Sequence, residues 1–256
     1  MLGQLDCGDF SDIVGPMRVT ILGSGTSHGV PVIGCDCDTC LSEDPRDKRT
    51  RSSITIEENG AFILIDTSTD FRTQAIREGI KKLDAILMTH SHADHLHGID
   101  DTRPLTWDNP LPVYGSAEVL EEIRTRFDYI FKETQRGGGK PKLDLRLLPA
   151  EEVAVAGIRI QPIPVMHGDV EIYGFRIGSF AYITDCSAIP EKSYKLLSGV
   201  THLVIGALRY RPHATHFSID EAITAAGRIG AAHAWLTHLC HDVNHQILTR
   251  KLSGRE

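Results

Sequence analysis

Four side chains able to hold a metal ion crowd into the run His90-Ser91-His92-Ala93-Asp94-His95. Imidazole nitrogens bind zinc, iron and other intermediate cations, and a carboxylate adds charge and oxygen affinity. Core packing gives no reason to gather such groups, and a solvated polar turn does not need them. A cation held there would lower the pKa of water and steady negative charge as it develops, which is the chemistry of hydrolysis.

A second set is softer. Cys35, Cys37 and Cys40 lie within Cys35-Asp36-Cys37-Asp38-Thr39-Cys40. Three thiolates leave tetrahedral zinc one ligand short, and His241, three residues after His238, is the candidate, so a single loop could serve both metal sites. Four protein ligands leave no open coordination position, which favours structural zinc; the alternative is a redox trio, since close thiols also exchange disulfides. Six cysteines are too few for a disulfide scaffold in 256 residues. Cys186 and Cys240 are left unassigned.

The elements that must position these groups show in the patterning. Arg18 to Leu22, Ser53 to Glu57 and Ala61 to Ile65 alternate as strands, the last two joined by the hairpin signal Asn59-Gly60. Phe71 to Glu78 has helical spacing and stops at Gly79, and Ala85 to Met88 reads as a short buried strand delivering His90. After Ser116, the stripe Val119, Leu120, Ile123, Phe127 and Ile130 predicts a helix facing a core. Val153 to Ala156 with Ile158 to Pro164, and Val170 to Ile177 with Phe180 to Thr184, read as hairpins around Gly157 and Gly178-Ser179. Ser218-Ile219-Asp220-Glu221 has capping-box spacing for a helix running to about Gly230, and the strand Ala234-Trp235-Leu236 leads into Thr237-His238. Hairpins combined with strand and helix units in both halves predict an α/β fold of two sheets packed face to face with helices outside.

With 41% hydrophobic and 24% charged residues the chain can bury a sizeable core as one domain over 17–256. Residues 1–16 hold three aspartates and no lysine or arginine, unlike a signal peptide, and read as a loose leader. Asp, Gly or Pro interrupts every apolar run well short of the roughly 18 residues needed to cross a bilayer. A formal net charge of −7 opposes attraction to a polyanion, so a small substrate is favoured over nucleic acid. Arg136 to Lys142 has no periodicity and reads as a mobile, solvated connection.

The His90–His95 run matches the HxHxDH signature of the metallo-β-lactamase fold, and the chain resembles that family from Met17 to roughly Leu252. The resemblance implies a four-layer αβ/βα sandwich of two mixed sheets with outer helices. It also implies that His90, His92 and His167 hold one metal, that Asp94, His95 and His238 hold another, and that Asp185 bridges them. Asp66, at a strand end after Ile65, would orient a ligand histidine or its loop; Gly23-Ser24-Gly25-Thr26 resembles the family's first-strand turn. The CxCxxC insertion and the ending Thr237-His238-Leu239-Cys240-His241 are similar to the PhnP-type cyclic phosphodiesterase branch, which implies two catalytic divalent cations (zinc, manganese or iron) and one structural zinc at Cys35, Cys37, Cys40 and His241.

On that resemblance the expected activity is hydrolysis of a small phosphate ester, cyclic esters included, through a metal-bridging hydroxide, with Asp94 and His216 as catalytic residues. His216 would protonate the leaving oxygen, with His213 as local competitor. Arg209 and Arg211 could clamp a phosphate, and Asp100, Asp101 and Arg103 could shape access or form ordinary surface pairs. A tRNA 3′-processing nuclease and a lactonase or thioesterase of the same fold are the alternatives, beside a non-catalytic metal-binding module. A cytoplasmic protein with a small-molecule partner and no membrane is expected, and a homodimer is compatible with the sequence.

Overall fold

The structure, a computed structural model, describes residues 17–133 and 139–253. Residues 1–16, and residues 136–138 of the connection read above, therefore lie outside the described residues. β1 (Arg18–Gly23), β2 (Ser53–Glu58) and β3 (Ala61–Ile65) pair antiparallel, with α1 (Asp38–Leu41) in the long connection between β1 and β2. Asn59 and Gly60 both take positive φ, 52° and 82°, the pair of left-handed residues that lets a two-residue turn follow the twist of its strands. After α2 (Phe71–Arg77), the strands β4 (Ala85–Leu87), β5 (Leu111–Gly115) and β6 (Leu143–Leu147) add in parallel, giving the order β1-β2-β3-β4-β5-β6. The crossovers carry α3 (Ala93–Leu96), a 3-10 stretch His97–Leu105, α4 (Ala117–Arg126) and α5 (Asp128–Phe131).

The second sheet has the same plan. β7 (Val153–Val155), β8 (Ile158–His167), β9 (Val170–Ile177) and β10 (Phe180–Ile183) form an antiparallel meander. α6 (Glu191–Leu196), β11 (His202–Gly206), α7 (Ile219–Ile229) and β12 (His233–Thr237) follow, with both new strands parallel to β10, and α8 (His245–Ser253) ends the described chain. Pro162 and Pro164 fit inside β8 because its pairing with β7 ends at Ile160. Neither proline then costs a bond on that side.

Alternation within each strand splits the apolar residues into three cores. Ile63, Ile65, Ala85 and Leu87 meet Phe175, Phe180, Tyr182 and Val204 between the sheets. The alternate residues Leu64, Ile86 and Met88 face outward and pack on Phe71, Val119 and Ile123 from the helices. On the far side, Ala181, Ile183, Leu203 and Ile205 pack on Ile219, Ala222 and Ala226 of α7. The result is the four-layer sandwich of two mixed sheets with outer helices.

One local reading changes. The helix expected from Ser116 through Ile130 is broken at Phe127 (φ −118°, ψ 40°), where α4 ends and α5 begins. The apolar stripe continues across the break because Ile130 is buried from its own short turn, so spacing alone cannot show the interruption. β5, β6, β11, α6 and α8 had no sequence reading. No helix among the described residues is long and apolar enough to cross a membrane.

Candidate metal centre

Strand ends from both sheets converge on one point. Asp66 follows β3, His90 follows β4, His167 ends β8, Asp185 follows β10 and His238 follows β12. Open α/β sheets present ligands beyond the carboxyl ends of their strands in this way. Three of these residues, Asp66 (φ 64°), Asp185 (φ 54°) and His238 (φ 58°), take the left-handed backbone that side chains other than glycine rarely adopt. Such strain costs on the order of 1–3 kcal/mol per residue and persists only where the surroundings enforce it.

Two clusters result, sharing Asp185. His90, His92, His167 and Asp185 have ligand atoms all within 4.8 Å of one another, as do Asp94, His95, Asp185 and His238. In the first, His90 Nε2 lies 3.1 Å from His92 Nδ1 and 3.8 Å from Asp185 Oδ2. In the second, His95 Nε2 is 3.3 Å from Asp94 Oδ2 and 3.2 Å from Asp185 Oδ1, and His238 Nε2 is 3.2 Å from Asp185 Oδ2. His95 Nε2 is buried and makes no hydrogen bond. A buried nitrogen left unpaired between two carboxylates fits a cation held among them, as does the mixed imidazole and carboxylate donor set.

Outer hydrogen bonds decide which nitrogen each ring offers. His95 Nδ1 donates to Asp66 Oδ2 at 2.7 Å and His167 Nδ1 to the Thr215 carbonyl at 2.8 Å, so both present Nε2 inward. Asp66 thus fixes the orientation of the His95 ring. Thr184 Oγ1 donates to Asp185 Oδ1 at 2.7 Å, and Arg126 Nη1 donates to the Ser91 carbonyl inside the ligand loop at 2.6 Å. Thr184, Thr215 and Arg126 carried no sequence signal.

The electrostatics show how charge is shared. Burial opposes charge on His95, yet Asp185, Asp66 and Asp94 around it raise its pKa well above the usual imidazole value. Burial would raise Asp185 and Asp94, but the former is outweighed by His238 and His95 and the latter by His95 and His238, leaving both far below the carboxylate range. His90 is pushed well down, first by burial and then by His95, and His92 is lowered by burial and His167. Asp94 and Asp185 are thus held ionised and His90 and His92 neutral, the protonation state metal binding requires of those four.

His216 borders both clusters. Its Nδ1 lies 3.9 Å from Asp185 Oδ2, and its ring stacks on His238 at 4.8 Å and meets His167 at 4.7 Å. Burial, then His238, brings its pKa down to about 3. His213 is exposed, 5.2 Å from His216 between ring centres, and its Nδ1 accepts from the Thr215 amide at 3.3 Å.

The thiolate set forms a separate cluster. His241 Nδ1 is 3.2 Å from Cys35 Sγ, 3.6 Å from Cys37 Sγ and 3.5 Å from Cys40 Sγ. Burial raises Cys40 to about 11, whereas the Cys40 backbone amide lowers the exposed Cys37 thiol. A buried ion pair braces the cluster: Arg49 Nη2 meets Asp47 Oδ1 at 2.8 Å and Nη1 donates to the Val243 carbonyl at 2.8 Å, while Asp47 accepts the His245 amide at 2.8 Å. Cys186 is buried in the outer core, and Cys240 Sγ accepts the Asp242 amide at 3.4 Å, so neither joins.

Arg209 and Arg211 each have partners close by in the fold. Arg209 donates to the carbonyls of Arg211 and Pro212, and Arg211 pairs with Asp242 at 3.2 Å, so both guanidinium groups are engaged in shaping their own loop. Asp100 pairs with Arg103 and accepts from the Tyr129 hydroxyl, an ordinary surface network beside the 3-10 stretch.

Residues 62–239 match the model of the β-lactamase superfamily domain, and the chain belongs to that superfamily. Within it, the protein resembles the crystal structure of a new diphosphatase from the PhnP family, with a TM-score of 0.86 and 42% identity over 92% of this chain and 91% of that one. A Porphyromonas gingivalis protein named octanoyltransferase is 44% identical over 228 residues, 88% of this chain but 46% of that protein. Ribonuclease Z of Bradyrhizobium diazoefficiens is 26% identical over 140 residues, 51% of this chain and 45% of that protein. The chain spans about half the length of these two curated relatives.

Proposed function

We propose that the protein is a binuclear metal-dependent phosphodiesterase acting on a small phosphate ester, cyclic diesters included. The observation that carries this reading is the membership of Asp185 in both histidine clusters with His216 alongside. His90, His92 and His167 would hold one divalent cation and Asp94, His95 and His238 the other, with Asp185 between them; zinc, manganese and iron all suit these donors. When bound, such a pair acidifies water and neutralises charge on a phosphoryl group. The protein's own part is to orient the rings through Asp66 and the Thr215 carbonyl, and to keep Asp94 and Asp185 ionised. His216 is neutral in the free protein. A phosphate anion beside it favours the charged ring, so its proton is available to the leaving oxygen only in the complex. Cys35, Cys37, Cys40 and His241 would hold a structural zinc, since the protein fills all four positions.

Likeness to a diphosphatase supports attack at phosphorus, and the net charge of −7 weighs against an RNA substrate. The ribonuclease Z relative keeps a tRNA 3′-processing reading in play as the second candidate. The test is to assay metal-loaded protein on bis(p-nitrophenyl) phosphate, cyclic ribose phosphates, a diphosphate diester, a lactone and precursor tRNA, with Asp185→Ala as control. Metal-dependent diester cleavage that vanishes in D185A is expected; cleavage of only the lactone or only the tRNA overturns the proposal.

A further inference from the structure

Asp66 is fully buried. Its Oδ2 accepts from His95 Nδ1 at 2.7 Å and from the Thr89 hydroxyl at 2.8 Å, and its Oδ1 accepts the Thr89 amide at 2.8 Å. The same Thr89 hydroxyl lies 3.0 Å from His90 Nδ1. The hydroxyl gives its single proton to Asp66 Oδ2, the oxygen that also meets His95 Nδ1. The lone pair left on Thr89 Oγ1 then faces His90 Nδ1, which has to be the donor.

From this we infer that Thr89 is a positioning residue, whose hydroxyl relays Asp66 to His90 so that one carboxylate orients a histidine in each of the two metal clusters. The inference rests on the metal-centre reading above and adds the device that keeps the two halves of the centre in register. With its hydrogen on Nδ1, His90 offers the Nε2 lone pair, the atom that faces His92 Nδ1 at 3.1 Å. His95 offers Nε2 for the same reason, its Nδ1 hydrogen being given to Asp66 directly. Thr89 is placed to act this way because its backbone is held on both sides: its amide by Asp66 and its carbonyl by the Tyr173 amide at 3.1 Å. Removing the hydroxyl leaves those tethers intact, so the relay can be cut without releasing the strand end.

The experiment has two parts. In 15N-labelled, metal-free protein, long-range imidazole correlations should place the His90 hydrogen on Nδ1 in wild type and in Thr89→Ser, with that preference lost in Thr89→Val. Cobalt(II) titrations against a competing chelator then report the sites, thiolate absorption marking the Cys35–Cys40 cluster separately. T89V should weaken one histidine cluster by roughly 10- to 100-fold and spare the other, T89S should match wild type, and Asp66→Asn should weaken both. A wild-type His90 hydrogen on Nε2, wild-type cobalt affinity in T89V, or equal weakening of both clusters in T89V overturns the relay. Should wild-type protein bind cobalt at neither histidine cluster, the metal-centre reading falls, and the position of the His90 hydrogen still decides the relay.

Discussion

His216 has 14% of its side chain exposed and stands between His167, His238 and Asp185. An acid that protonates a leaving oxygen matters only when that oxygen leaves as a strong base. Replacing His216 with Asn should therefore lower kcat/KM for an alkyl phosphodiester by about 10²–10⁴-fold, while a p-nitrophenyl ester, whose leaving group needs no proton, should lose far less. Equal losses on both esters in steady-state assays would assign the ring a binding role instead. The same residue gives a pH effect on stability. Its folded value of about 3 lies below the ordinary 6.5, so between these values the unfolded chain binds a proton that the folded chain does not. This contribution to stability is present above about pH 6.5 and lost as pH falls toward 3. Denaturant midpoints of the metal-free protein should thus drop between pH 7 and pH 4, with a shallower drop in H216N; parallel slopes would contradict the burial argument.

Elements supply the positions, and Gly98 shows how tightly. It begins the turn after α3, donates its amide to the Thr67 carbonyl at 2.8 Å and has no room for a side chain. A Cβ there would strike the Ser68 carbonyl and come within 2.8 Å of the Thr67 carbonyl and Phe71 Cβ. Since backbone cannot swing aside as a long side chain can, Gly98→Ala must push the ligand loop away from the Asp66–Ser68 segment. We expect a loss of about 1–3 kcal/mol in urea unfolding together with weaker metal binding by Asp94 and His95. A variant with an unchanged midpoint would show that the two segments are not packed as described. α7 illustrates a different local device: Ser218 and Glu221 close a reciprocal capping box, and Gly230 ends the helix with φ 81°. That fixes the helix start three residues after His216 and so limits where the ring can lie.

At the scale of the whole molecule, neither sheet makes the centre alone. β3 and β4 deliver Asp66 and His90, while β8, β10 and β12 deliver His167, Asp185 and His238. The inter-sheet core of Ile63, Leu87, Tyr182 and Val204 is therefore what holds the two groups of side chains together. The cysteine cluster adds a second tie, joining the insertion after β1 to the turn that follows β12, with Cys40 and His241 separated by 201 positions in the chain. Closing so long a loop with a metal restricts the unfolded chain most. Cys37→Ser should lose one zinc per chain by elemental analysis and melt at a lower temperature, with the histidine clusters still occupied. Unaltered zinc content would rule the cluster out as a zinc site.

Much of this was legible in the residues themselves. The HxHxDH run, the CxCxxC run and the hairpins at Asn59-Gly60 and Gly178-Ser179 are local, because ligand type, spacing and turn chemistry are written in consecutive residues. The strand pattern of Ala61 to Ile65 and the capping box at Ser218 are local for the same reason. The break at Phe127 was not, since an apolar stripe has the same period whether one helix or two carry it. Nor was the fate of Arg209 and Arg211, whose guanidinium groups were claimed by carbonyls and by Asp242 once the loop had folded. Sequence by itself determined which side chains could bind metal and which strands could present them. Only the tertiary structure decided that Thr89 stands between Asp66 and His90, and that His216 is buried enough to be neutral. Hydrogen bonds and burial of that kind depend on distances between strands far apart in the chain, and those distances exist only after the two sheets pack.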